Sequence, residues 1–142
     1  MLTDLLADAS RAGLYSLPAE QRSTLPKEVA DSGLFHQQID LSACRTSSAM
    51  LGELGRALAF PNWYGHNFDA LHDCLTDPDW QPATGHVLFI DGLAALRSGD
   101  PEGFATLIEV LQSVADVCRK DGKPFWLLLD IAARGVPALP SA

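Results

Sequence analysis

The sequence has no Cys-x-x-Cys pair, no internal repeat, no long apolar run and, from Ala57 to Leu96, neither lysine nor arginine. Its cysteines, Cys44, Cys74 and Cys118, are odd in number and widely spaced, which argues against a disulfide framework or a zinc site and for reduced, buried thiols. No stretch approaches the roughly 18 apolar residues of a membrane helix. Met1 to Leu6 shows neither a basic n-region nor a sustained apolar h-region, so the expectation is a cytoplasmic protein without a membrane partner. There is no Gly-x-Ser-x-Gly elbow and no phosphate-cradling glycine loop, so neither enzyme activity nor a cofactor is expected.

What remains is acidic. Ten Lys plus Arg against eighteen Asp plus Glu leave a formal charge of −8, a balance that repels nucleic acid and favours a cationic partner. The charge is uneven: Asp69, Asp73, Asp77, Asp79 and Asp91 all fall in the stretch that lacks basic residues. At 142 residues, 47% apolar and 20% charged, the chain fits one compact domain.

The periodicity alternates. Leu34 to Ile39 reads as a strand, and a helix follows, capped at Thr46 or Ser47, carrying Met50, Leu51, Leu54 and Leu58 and ending at Phe60-Pro61. A short helix from Asn67 to Thr76 precedes a buried strand, Val87 to Ile90. Asp100-Pro101-Glu102 opens a long helix that stops at Asp121-Gly122, and Phe125 to Leu129 is the last strand. This order predicts an α/β fold with a three-stranded parallel sheet over residues 34–130. Residues 1–33 are expected to add a βα unit to the same domain, with Gly13 to Leu17 as a fourth strand and Pro26 to Ser32 as its helix. Residues 131–142 are expected to fray.

The short helix has two opposed faces. At roughly 100° per residue, with Asp69 at zero, Phe68, Leu71 and Leu75 gather near 200–260°, while Asp73 lies near 40° and Asp77, if helical, near 80°. Burying the first face turns the second to solvent. Aspartates at i and i+4 repel by about 0.2–0.5 kcal/mol, so stability alone does not select them. Asp69 sits in the first turn, where the helix dipole favours a carboxylate, but Asp73 lies near the other end without that support. Just upstream, Trp63 and Tyr64 put aromatic rings beside the acidic face; the spacing assigns Tyr64 to the core and leaves Trp63 open between core and contact.

Phe60-Pro61, Tyr64-Gly65, Asn67, Asp69-Ala70-Leu71 and Asp73-Cys74-Leu75-Thr76 together resemble the signature of the barstar family, intracellular inhibitors of barnase-type ribonucleases. The resemblance implies that Asp69 and Asp73 match the two helix aspartates that occupy the cationic active site of the nuclease, Asp73 as a phosphate mimic. It implies further that Trp63 covers the nuclease's catalytic histidine and that Asn67 caps the helix beside the contact. His72 stands where the family's namesake has a tryptophan, Asp77-Pro78-Asp79-Trp80 replaces a glycine-tryptophan turn, and the acidic contact expected late in the long helix falls on Val117, next to Asp116. The expected partner-binding set is therefore Trp63, Asn67, Asp69, His72, Asp73, Asp77 and Trp80. The expected role is that of an antitoxin or immunity-type inhibitor, a monomer whose partner is a basic, barnase-like ribonuclease. Two alternatives stand beside it. One is a family-like binding module for a different basic partner; the other is a metal site on His66, Asp69, His72 and Asp73.

Overall fold

The structure is a computed structural model that describes residues 2–139. Along these residues run α1 (Leu2–Leu6), β1 (Leu14–Ser16), α2 (Ala19–Arg22), α3 (Leu25–Ala30), β2 (Phe35–Asp40) and α4 (Ser47–Ala57), followed by α5 (Phe68–Thr76), β3 (His86–Asp91), α6 (Leu93–Gly99), α7 (Pro101–Lys120) and β4 (Phe125–Leu129). The four strands form one all-parallel sheet in the order β1-β4-β3-β2. The expected fourth strand is thus β1, added beside β4.

Strands β3 and β4 are buried along almost their whole length, and strand alternation divides their side chains between two cores. Leu88, Ile90, Phe125, Leu127 and Leu129 face the larger core, with Leu51 and Leu54 of α4, Leu71 and Leu75 of α5, and Leu107 and Leu111 of α7. Val87, Phe89, Trp126 and Leu128 face the other side, where Leu5, Leu6, Leu17, Leu25 and Val29 of the first 33 residues cover them. The N-terminal extension is therefore the second layer of the sandwich. The Trp126 indole N–H donates to the Leu6 carbonyl at 2.9 Å, and the Arg119 guanidinium on α7 donates to the Ala12 carbonyl at 3.1 Å.

Helix ends are joined across the fold. The Thr46 hydroxyl caps α4 by accepting from the Ala49 N–H. The Asp100 carboxylate serves two helices: it accepts from the Gly103 N–H at 2.9 Å, capping α7, and from the Ser47 N–H and hydroxyl at 3.0 and 2.7 Å at the start of α4. Those hydrogen bonds, the Ser47 hydroxyl first, hold its carboxyl below the ordinary carboxylate range. A Cβ on Gly103 would lie 2.0 Å from the Ser47 hydroxyl, so only glycine admits this junction. On β4's far end, Asp130 accepts from Gly92 N–H at 2.7 Å and so satisfies the start of α6.

The structure refines the sequence reading at several points. Helix α4 stops before Phe60-Pro61, because Ala59 takes a left-handed conformation (φ 53°) and the Ala59 and Phe60 N–H groups close back on the Arg56 and Gly55 carbonyls. Helices α1, α2 and α6 were not expected, being too short to show a period. Asp77 lies beyond α5 with an extended ψ of 119° and is not helical. The tail does not fray over its described part: Ser16 and Ala138 bridge, the Leu139 N–H donates to the Ser16 carbonyl at 2.9 Å, and Leu139 is buried. That segment covers the edge of β1 that would otherwise present unpaired backbone groups. Residues 140–142 of the expected tail lie outside the described residues. Among the described residues no helix is long and apolar enough to cross a membrane.

His86, at the start of β3, is buried between the Trp80 and Phe125 rings, at centroid distances of 5.8 and 5.0 Å. Its Nε2 lies 2.7 Å from the Gln81 carbonyl, which can only accept, so Nε2 carries the proton, while Nδ1 is buried without a partner among the described residues. Burial pushes its pKa below the ordinary 6.5; the Gln81 carbonyl opposes the shift and Lys123 adds to it. A base that is harder to protonate when folded leaves stability unchanged above about 6.5 and lowers it as pH falls below that value, toward the folded-state pKa. Urea unfolding at pH 7.5 and at pH 5 is expected to show this acid-side loss, and His86→Phe, which keeps the aromatic stack, is expected to flatten it.

Candidate partner-binding surface

Helix α5 begins where the Asn67 side-chain oxygen accepts from the Ala70 N–H at 2.8 Å. This cap, with a carboxylate at Asp69 in the first turn, is the local reason a nine-residue segment holds a helical start. Ala70, Leu71, Cys74 and Leu75 are buried, and the helix packs mainly on α7. Asp69 and Asp73 both face solvent, with 70% of the Asp73 side chain exposed. The two opposed faces read from the sequence are therefore real faces.

The remaining expected site residues divide. His72 is half-buried: its Nε2 lies 2.9 Å from the Ser113 hydroxyl on α7, and its Nδ1 lies 4.0 Å from the Asp73 carboxylate. It ties α5 to α7 as well as flanking the acidic face. Trp63 is the exposed ring, with 55% of its surface open to solvent. Tyr64 is core: its hydroxyl donates to the Leu51 carbonyl at 2.7 Å, and burial pushes its pKa up to about 12. A Cβ on Gly55 would sit 2.6 Å from the Tyr64 ring, so the glycine is what lets that ring lie flat on α4.

Trp80 does not stand out on the surface as a contact residue should. Its ring is buried among Phe35, Phe60, His86 and Phe125, and its indole N–H donates to the Leu58 carbonyl at 2.9 Å. The sequence showed a tryptophan in an acidic turn; the aromatic cluster that takes it in is assembled from four distant segments. Only part of Trp80 reaches outward, at the floor of an open groove of about 460 Å³ that lies between Trp63 with Pro61 and the Asp77 to Pro82 loop. Within that loop Asp77 accepts from the Asp79 N–H at 2.9 Å.

One residue of this region went unremarked in the sequence, and another was named there without being assigned to the site. Ser113 carries no local signal, since its contact with His72 spans 41 positions. Asp79 was visible only as part of the acidic stretch, and it lines the groove. On α7, Asp116 is exposed but already engaged by Arg119 at 3.0 Å and by Gln112 at 3.2 Å, so it is not an open carboxylate like those of α5. The three cysteines are free and buried, and burial raises each thiol above its ordinary range. Among the described residues, no group of three or more His, Cys, Asp or Glu side chains is arranged to hold a metal ion.

The family model described as barstar (barnase inhibitor) matches residues 34–130, the span from the start of β2 to the end of the sheet. The chain belongs to the barstar family. Its barstar region includes α5 and both faces of that helix, while α1 to α3 and β1 precede it. No curated protein matches the chain. Among solved structures, the ORC2 protein of Aeropyrum pernix, in its ADPNP–ADP complexes, is similar at 17% identity with a TM-score of 0.58. The match covers 96% of this chain and 38% of that one, and at this identity it speaks for a shared α/β architecture alone.

If the inner face of α5 holds the fold and the outer face does not, substitutions should separate them. Leu71→Ala is expected to destabilise by about 2–5 kcal/mol. Asp73→Asn is expected to be neutral or stabilising by up to about 0.5 kcal/mol, since it removes a like-charge pair and a carboxylate near the negative end of the helix. Chemical denaturation of both variants checks the contrast.

Proposed function

We propose that this barstar-family chain inhibits a basic, barnase-type ribonuclease by seating the outer face of α5 in the nuclease active site. The observation that carries the reading is the pair of solvent-facing carboxylates, Asp69 and Asp73, on a helix whose other face is locked into the core, with the exposed Trp63 in the segment that leads into it. A site built from Arg, Lys and His to hold phosphates attracts fixed carboxylates in the same way. No catalysis is needed: the helix occupies the site and excludes RNA.

Rigidity favours this use. The Asn67 cap, the His72–Ser113 contact and the packing of Leu71 and Leu75 fix where the carboxylates stand, so little ordering is left to be done on binding. The absence of Lys and Arg from residues 57–96 leaves the charge carried by this segment negative, which favours steering of a cationic partner. In this reading Asp73 carries the main contact, Asp69 and Trp63 flank it, and the protein acts in the cytoplasm as an immunity-type monomer.

A second reading keeps the surface and changes the partner. His72 is engaged with Ser113, and Asp116 is paired with Arg119, so the rim around α5 differs from the family pattern. A basic protein that is not barnase-like fits that rim as a binding partner without altering the role of Asp73.

RNA cleavage by a barnase-type ribonuclease, measured with the full chain added at micromolar concentration, is expected to be blocked. Asp73→Ala is expected to weaken inhibition roughly 30-fold or more, the size of a binding hot spot. Association should slow as salt rises from about 0.05 to 0.5 M, because steering is screened. Full nuclease activity in the presence of the wild-type chain would count against the leading reading and leave the second.

A further inference from the structure

The groove beside α5 has a chemistry of its own. One wall carries Trp63, the most exposed large apolar side chain among the described residues; the floor is Trp80; Asp77 and Asp79 supply carboxylates. Its volume of about 460 Å³ falls within the range of small-ligand clefts, roughly 300–1,000 Å³. No Lys or Arg lines it. Asp77 spends one oxygen on the Asp79 N–H, and the Asp79 carboxylate accepts no hydrogen bond from the described residues.

The groove is also preformed. The Trp80 indole is fixed by the Leu58 carbonyl, the Trp80 N–H bonds the Asp77 carbonyl at 3.1 Å, and the Gln81 carbonyl takes the His86 ring N–H. An occupant therefore meets standing walls.

We propose that this groove receives one arginine side chain of the basic partner. The proposal deepens the inhibitor reading and rests on it for assigning that arginine to a nuclease. A guanidinium is the group that matches both halves of the groove at once. It is planar and weakly hydrated, so it stacks on an indole face, and its fork of donors meets carboxylates. An ammonium, compact and strongly hydrated, gains less from the aromatic walls. The groove begins at Asp77, directly after the end of α5, and both Asp77 and Asp73 act on the Cys74 thiol, so an arginine seated there extends the acidic surface of α5 rather than standing apart from it.

The test needs no nuclease. The full chain, labelled for NMR, is titrated with N-acetyl-arginine amide, and the indole N–H of Trp63 is followed. A saturable shift in the millimolar range is expected, with a weaker response to N-acetyl-lysine amide and none to the neutral citrulline analogue. Asp77→Asn/Asp79→Asn and, separately, the surface change Trp63→Ala followed through the loop amides are each expected to weaken binding roughly two- to five-fold or more. An equal response to the citrulline analogue, or undiminished binding in the Asp77/Asp79 variant, would overturn the proposal. Probe binding by a chain that fails to inhibit ribonuclease keeps the groove and removes the inhibitor reading; inhibition without probe binding does the reverse.

Discussion

Strands β3 and β4 are apolar on both faces, and a parallel sheet built around such strands is stable only when each face is covered. Much of the architecture answers to that constraint. On one side α4, α5 and α7 close over Leu88, Ile90, Leu127 and Leu129; on the other the first 33 residues close over Val87, Phe89, Trp126 and Leu128. The extension is thus not an appendage to the barstar-family region but the layer that completes its sheet. It also supplies β1, whose outer edge is in turn covered by the segment ending at Leu139.

The same constraint orients the candidate binding surface. Because Leu71, Cys74 and Leu75 are drawn into the larger core against α7, Asp69 and Asp73 have nowhere to go but outward. Connections beyond the core then set how firmly that face is held: the Asn67 cap at one end and His72 against Ser113 along the flank. Stability and recognition are served by opposite sides of one nine-residue helix, so selection can alter the acidic side without touching the core.

Asp77 to Pro82 shows how a short loop can build a concave feature. Trp80 is pulled into an aromatic cluster with Phe35, Phe60, His86 and Phe125, and the backbone on either side of it is left to form a wall facing Trp63. The buried, neutral His86 supports that wall from beneath through the Gln81 carbonyl. Wall and core therefore share residues.

Local patterns settled a good deal. The period of Leu71 and Leu75 against Asp69 and Asp73, the caps at Thr46, Asn67 and Asp100, and the apolar runs of β3 and β4 are all properties of neighbours in the chain, and each was legible for that reason. Tyr64 in the core followed in the same way. Trp63 stayed undecided in the sequence, since a ring between a proline and a glycine turn can face either way until the Asp77 to Pro82 loop is placed opposite it. The burial of Trp80 was not legible, because its neighbours in sequence are acidic while its neighbours in space, His86 and Phe125 among them, are aromatic. The double cap at Asp100, the docking of the tail on β1 and the tie from His72 to Ser113 likewise join positions far apart in the chain. The sequence by itself determined which residues would form the strands and the longer helices and which face of α5 would be acidic, because those depend on spacing along the backbone. Only the tertiary structure decided what the first 33 residues cover, which tryptophan is exposed and where a groove opens, because those depend on which distant segments exclude water together.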